Sequence, residues 1–162
     1  MLEAANPRQV IIVTARDGGK DNAMSLTWHS PASFSPELYT IFLSKRRRTY
    51  EMIRESGVFA VNFLTEDMAR EAIYCGTKTG RSVDKFKELG MEKEECERIN
   101  CCRLRKAAAY LECKVVDELP AGDHVIVVGE ILAGKDERKK RLFYAGGGFV
   151  EDSFTTTKQA IK

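Results

Sequence analysis

The spacing of hydrophobic positions changes character along the chain. "QVIIVTAR" (Gln9–Arg16) is an almost unbroken β-branched run, closed by the turn signal "DGGKDN". In "AMSLTWHSP", Met24, Leu26 and Trp28 alternate with Ser25, Thr27 and His29, the period of two of a half-buried strand. Pro31 and Pro36 bracket "ASFS", which predicts a short or edge piece. "YTIFLS" (Tyr39–Ser44) and "VFAVNFL" (Val58–Leu64) read as strands. Between them "TYEMIRES" reads as a short helix, with Thr49 as its cap and Gly57 as its stop.

The middle switches to helical spacing. "EDMAREAIYCG" puts Met68, Ala72 and Cys75 on one face, with Gly76 as the stop. "SVDKFKELG" starts on Ser82 as N-cap, aligns Val83, Phe86 and Leu89, and stops at Gly90. Met91–Ala107 is charged and cysteine-bearing, and its pattern assigns no element. Strand patterns then return in "AAYLECKVVDEL" and "HVIVVGEILAG", joined by the turn "PAGD", and in a short "RLFYA" before "GGG".

The sum is six or seven strands and three short helices. They do not alternate, which argues against a parallel α/β sheet. The expected fold is mainly β: one antiparallel barrel with helices in a long crossover. A length of 162 residues suits a single domain with a real core. From residue 151 onward the chain turns polar, and "TTTKQAIK" is expected to be a loose tail or an arm that embraces a partner.

Composition narrows the classes. Lysine and arginine total 26 against 24 acidic residues, a net charge of +2. A nucleic-acid binder would show a stronger imbalance or a basic face. No apolar run reaches the roughly 20 residues of a membrane span. The opening "MLEAANPRQ" lacks the charged start and apolar core of a signal peptide, so a cytoplasmic location is expected. Cys75, Cys96, Cys101, Cys102 and Cys113 form no C-x-x-C unit, and are expected to be reduced thiols without a metal. The Cys96–Cys102 cluster has no explanation in the sequence.

Two basic runs invite comparison. "RKKR" (Arg138–Arg141) follows Asp136 and Glu137 at an expected hairpin tip, the look of a solvated turn. "KRRR" (Lys45–Arg48) lies between a strand end and a helix start. Free N–H groups, the positive end of the helix dipole and a hydroxyl converge there, and arginine can grip phosphate through two bonds. That setting suits one compact phosphate better than an extended polyanion. "GTKTGRSVDKF" (Gly76–Phe86) is a second donor-rich loop at a helix start.

With "NAMSLTWHSPASFSP", "SKRRRTYEMIRESGVFAVNFL" and "GTKTGRSVDKF" in this order, residues Asn6 to Phe149 resemble the flavin reductase-like family. These are FMN-binding split barrels that include flavoredoxins and archaeal ferric reductases. The resemblance implies a homodimer that binds FMN at its interface and exchanges electrons with NAD(P)H or another donor. It implies that Met24, Ser25, Leu26, Thr27 and Trp28 run past the flavin ring. Ser44, Arg46 and Thr49 would hold the phosphate, with Lys45 and Arg48 as further candidates and Arg47 left to solvent. Gly80, Arg81, Ser82 and Lys85 would close over the phosphate and ribityl chain. Family members often carry a second proline where this chain has Glu37. Relatives differ in the C-terminal segment, so "YAGGGF" leaves the electron-donor side open.

The inventory fits cofactor-borne chemistry, in which the protein orients and tunes. No catalytic side chain is expected. The two histidines, His29 and His124, lack partners in sequence and read as structural or exposed. Trp28 suits a core position and a flavin or dimer contact equally. "GGG" at Gly146–Gly148 does not open a helix after a strand, so no Rossmann domain is expected. An FMN-dependent oxidoreductase is the leading reading. The alternatives are an electron carrier without NAD(P)H turnover and, further off, a nucleic-acid-binding barrel.

Overall fold

A computed structural model describes residues 1–151. The polar tail expected from residue 151 onward falls almost wholly outside them. After a single 3-10 turn (Leu2–Ala5), the elements are β1 (Arg8–Gln9), β2 (Ile11–Asp17), β3 (Lys20–Leu26), β4 (His29–Phe34), β5 (Glu37–Ser44) and α1 (Arg48–Ser56). Then come β6 (Val58–Phe63), α2 (Ala69–Thr77), α3 (Lys85–Leu89), β7 (Lys93–Glu95) and β8 (Cys102–Leu104). The long pair β9 (Ala109–Ala121) and β10 (His124–Asp136) is followed by β11 (Leu142–Tyr144) and β12 (Phe149–Glu151).

Seven strands form one antiparallel sheet in the order β3-β2-β6-β9-β10-β5-β4. Its two edge strands, β3 and β4, are consecutive in the chain, and only Thr27 and Trp28 separate them. Two residues cannot span a flat seven-stranded sheet at about 4.8 Å per strand, so the sheet must curl until its edges meet. The expected split barrel follows from that connection. The amide of Phe42 donates to Trp28 O at 3.0 Å and pins the joint. The alternating run from Met24 to His29 is therefore two strands broken at the barrel corner, a correction to the single strand the pattern predicts.

The interior explains the hydrophobic patterns. Ile11, Val13 and Ala15 of β2 face a core shared with Tyr39, Ile41, Leu43, Phe59, Val61, Val125 and Val127. Val10 and Ile12 face the other way, into a second cluster with Leu64, Met68, Ala72, Cys75 and Phe86. Buried on both faces, β2 has no polar alternation to show. β5, with one solvated side, keeps strict alternation. Fully burying one such side chain contributes about 1.5–3 kcal/mol.

The helices α2 and α3 lie in the crossover between β6 and β9, as expected, and α1 packs on β2 and β3. Gly57 and Gly90 end α1 and α3 in the left-handed conformation at φ 70° and 63°. The proposed stop at Gly76 is corrected: α2 continues to Thr77. Glycine serves here by close approach, since a Cβ on Gly76 would meet Ser25 Oγ at 2.8 Å. Two cap assignments are also corrected. Arg47 holds the N-cap position of α1, while Thr49 is inside the helix and buried. Asp84, not Ser82, caps α3 by accepting from the amides of Phe86 and Lys87. Met91–Ala107 contains the hairpin β7–β8.

Candidate functional site

The joint between β3 and β4 opens into a cavity of about 650 Å³, within the range of roughly 300–1,000 Å³ of small-molecule sites. Five pieces of chain build it: β3 with the corner residues, the end of β5 with the turn leading into α1, the end of α2 with the loop after it, the start of α3, and the start of β10. Register puts His124 of β10 opposite Ser44 of β5, so a turn residue distant in sequence reaches the wall.

Of the residues singled out in the sequence, Met24, Ser25, Leu26, Thr27, Trp28, Ser44, Arg46, Arg48, Thr49, Gly80 and Lys85 line this cavity. Lys45 lies outside it, beside Tyr50, Arg54 and Glu118. Arg81 and Ser82 are also outside the wall, and Arg81 pairs with Glu51. Arg47, expected in solvent, is part of the wall, as are Asn22, Phe42, Cys75, Lys78, Thr79 and His124. Trp28 lines the cavity, with the His124 ring tilted against it at 5.0 Å and Arg8 over it at 5.9 Å.

The wall carries Arg46, Arg47, Arg48, Lys78 and Lys85 and no carboxylate. The five differ in what already holds them. Arg48 donates to Asp17 at 2.7 Å and to Glu51 at 3.3 Å, bonds that raise its pKa. Arg46, Arg47 and Lys78 make no ion pair among the described residues. Lys85 is 3% exposed and donates through Nζ to Ala23 O at 2.6 Å and Cys75 O at 3.0 Å. An ammonium has three protons, so one is left without an acceptor among the described residues. Burial lowers the pKa of Lys85 and raises that of the neighbouring Cys75 thiol to about 11.

The turn into α1 is shaped for an anion. The amide of Arg47 donates back to Ser44 O at 3.0 Å, which closes the turn. The amides of Arg48 and Thr49, the first in the helix, have no acceptor among the described residues, as expected at a helix N-terminus. The positive end of the α1 dipole adds to them.

Asn22 is the residue the sequence reading missed most completely. It is 5% exposed, and its Nδ2 donates to Thr49 Oγ1 at 2.9 Å, tying β3 to α1. Gly80 presses on it so closely that a Cβ there would lie 2.1 Å from Asn22 Oδ1. One buried amide therefore joins three walls. Ser25 fixes the fourth contact by donating to Ala72 O at 2.6 Å.

His29 is a structural histidine. Its Nε2 lies 2.9 Å from Gln9 O and its Nδ1 2.6 Å from Tyr39 Oη. Nε2 must donate to the carbonyl, so Nδ1 accepts from the tyrosine, and burial keeps the ring's pKa below its ordinary value. Among the described residues no cluster suited to a metal ion occurs, and the five cysteines are free. No helix is long and apolar enough to cross a membrane.

A curled antiparallel barrel with one cationic cavity at its joint defines a class of ligand-binding barrel. The chain belongs to the flavin reductase-like family: the family model of the flavin reductase like domain matches residues 4–151. It is 35% identical over 133 residues to an uncharacterized protein of Archaeoglobus fulgidus, covering 82% of this chain and 74% of that one. It is 31% identical to the reductase component of the Rhodococcus opacus 4-nitrophenol 4-monooxygenase/4-nitrocatechol 2-monooxygenase, covering 86% and 72%. Some relatives are longer, and the chain spans 43% of a probable flavin reductase of Rhizobium meliloti. Among solved structures, flavoredoxin from Methanosarcina acetivorans superposes with a TM-score of 0.82 at 27% identity, covering 94% and 90%.

Proposed function

We propose that this chain is an FMN-dependent oxidoreductase of the flavin reductase type. It passes electrons from NAD(P)H or another donor to an acceptor and works as a homodimer. The observation that carries the reading is the cavity wall: five cations, no carboxylate, and two unengaged helix amides beside a serine hydroxyl. This donor set fits a phosphate, and the cavity volume fits a flavin-sized ligand. Family membership narrows the ligand class to flavins.

In this reading Ser44, Arg46 and Arg47 hold the phosphate together with the amides of Arg48 and Thr49. Thr49 itself orients Asn22 through its hydroxyl. Met24, Ser25, Leu26, Thr27 and Trp28 form the platform along the ring, and Gly80 and Lys85 close the opposite side. Bound FMN would supply the electron-transfer chemistry, and the chain's own side chains bind, orient and exclude water. Lys45, Arg81 and Ser82 contribute at most to the surrounding field. Phe34, 97% exposed at the β4–β5 turn, supports a covering partner subunit.

The test is an absorbance spectrum of the purified protein after exposure to FMN, followed by NADH or NADPH without oxygen. Flavin bound at micromolar concentration and bleached by one nicotinamide supports the reading. Bound flavin that stays yellow with both indicates a carrier fed by another donor. Failure to take up FMN overturns it.

A further inference from the structure

Three of the four cysteines with no place in the site, Cys96, Cys101 and Cys102, meet in one spot. In the hairpin β7–β8, Glu95 pairs with Cys102, so the next cross-strand pair is Cys96 and Cys101. The amide of Cys96 donates to Cys101 O at 2.9 Å. Cys101 is fully buried against Ala60 and Ile99, and Cys96 packs on the same cluster while partly exposed. The Cys101 sulfur lies 3.5 Å from Cys102 O and 3.9 Å from Thr14 Oγ1.

The loop between the two cysteines is held closed. Glu112 is fully buried, and its carboxylate accepts from the amides of Glu97 at 3.0 Å and Arg98 at 2.7 Å. Arg103 compensates its charge at 2.9 Å. Thr14 anchors the far side by donating to Cys102 O at 2.5 Å. The ends of this loop are thus positioned before any reaction, and directly opposite residues of an antiparallel pair lie within the Cα separation a disulfide needs.

We propose that Cys96 and Cys101 form a thiol–disulfide exchange site, in which Cys96 receives a small-molecule disulfide and Cys101 resolves it. The Cys96 sulfur attacks one sulfur of the incoming disulfide, and the first small thiol leaves with the displaced proton. The Cys101 sulfur then attacks Cys96 Sγ in the mixed disulfide, and the second small thiol leaves with the other proton. Two protein thiols are oxidised and one small disulfide is reduced. Exposure assigns the order, because only Cys96 reaches solvent. The neighbouring Cys101 thiol and burial hold the Cys96 thiol above its ordinary pKa, so the first attack quickens as pH rises. Cys102 stays a buried donor.

The test treats the folded full chain with oxidised glutathione, then denatures it, alkylates it and maps tryptic peptides. Trypsin cuts after Arg98 and so separates "EECER" (94–98) from "INCCR" (99–103). The expected result is that two of the five cysteines escape alkylation. The two peptides are linked, fragmentation places the link at Cys101, and dithiothreitol reverses it. Cys101→Ser should stop at a glutathione adduct on Cys96, and Cys96→Ser should form none, with near-native circular dichroism in both. The proposal is overturned if all five thiols remain alkylatable while a reference dithiol oxidises. It is equally overturned by a Cys101–Cys102 bond, which leaves "EECER" unlinked, or by a link between two chains. The readout is independent of flavin, so it stands or falls apart from the proposed function.

Discussion

Two runs of four cations lie at opposite reaches of this molecule, and the fold treats them differently. At Arg138–Arg141, Arg141 pairs with Asp136 at 2.6 Å, Lys140 reaches Glu66 at 3.5 Å, and the amide of Arg138 donates to Asp136. The sequence neighbour Asp136 and the distant Glu66 thus pair two of its four cations. At Lys45–Arg48, Arg48 is compensated from behind by Asp17 and Glu51, while Arg46 and Arg47 face a cavity without an acidic group. Local charge density is the same in both. Each run keeps at least two cations without an ion pair among the described residues; what differs is that Arg46 and Arg47 line a cavity with no carboxylate, and that sets this run apart as available to a ligand.

The sharpest way to break this comparison is to remove the uncompensated pair. Arg46→Ala with Arg47→Ala should weaken FMN by about 3 kcal/mol, two charge-assisted bonds at the low end of their range, or about 100-fold in Kd. Fluorescence titration reads this directly. Next in size is the joint that aims the pair. Asn22→Ala leaves the buried Thr49 hydroxyl without its donor and should cost about 1–3 kcal/mol of stability. Thermal unfolding would then fall by about 2–4 °C per kcal/mol, and FMN should bind more weakly.

The barrel joint itself responds to acid through His29. Its folded pKa lies below the ordinary 6.5. Between those two values the unfolded chain holds a proton that the folded chain lacks. Stability therefore falls as pH drops below the ordinary value and levels off beneath the folded one. The slope should reach at most about 1.4 kcal/mol per pH unit, and His29→Gln should remove it in urea denaturation at a series of pH values.

Two smaller effects sharpen the contrast. Asp17→Asn strips Arg48 of a counter-charge and should tighten FMN by no more than about fivefold, the worth of a surface ion pair. Arg138→Ala with Lys139→Ala should change stability by less than about 0.5 kcal/mol and leave FMN affinity unchanged. A large loss of affinity there would mean that net charge, not position at the cavity, governs binding.

Strand positions were legible because β-branched runs and strict alternation survive in one dimension. The "VIIV" of β2 announced a strand, and β5 showed its single buried face. The caps misled because a buried threonine and a capping threonine look alike locally. Only Asn22, 27 residues away, reveals which Thr49 is. Likewise, Asp84 and Ser82 compete for one helix start, and the carboxylate wins by reaching two amides.

The basic run was legible as a phosphate candidate, but its orientation was not. Which arginines face inward depends on the Ser44–Arg47 turn and on Asp17 from another strand. His124 entered the wall through the β5–β10 register, which no local motif records. The hold of Glu112 on the cysteine loop spans 14 and 15 residues and likewise leaves no local motif.

The most direct test of the central claim compares FMN with riboflavin, which differ only in the phosphate, by equilibrium titration of the wild-type protein. If the uncompensated arginines and helix amides are a phosphate site, FMN should bind about 100-fold tighter or more, by the same two-bond arithmetic. Equal affinity for the two would contradict the account.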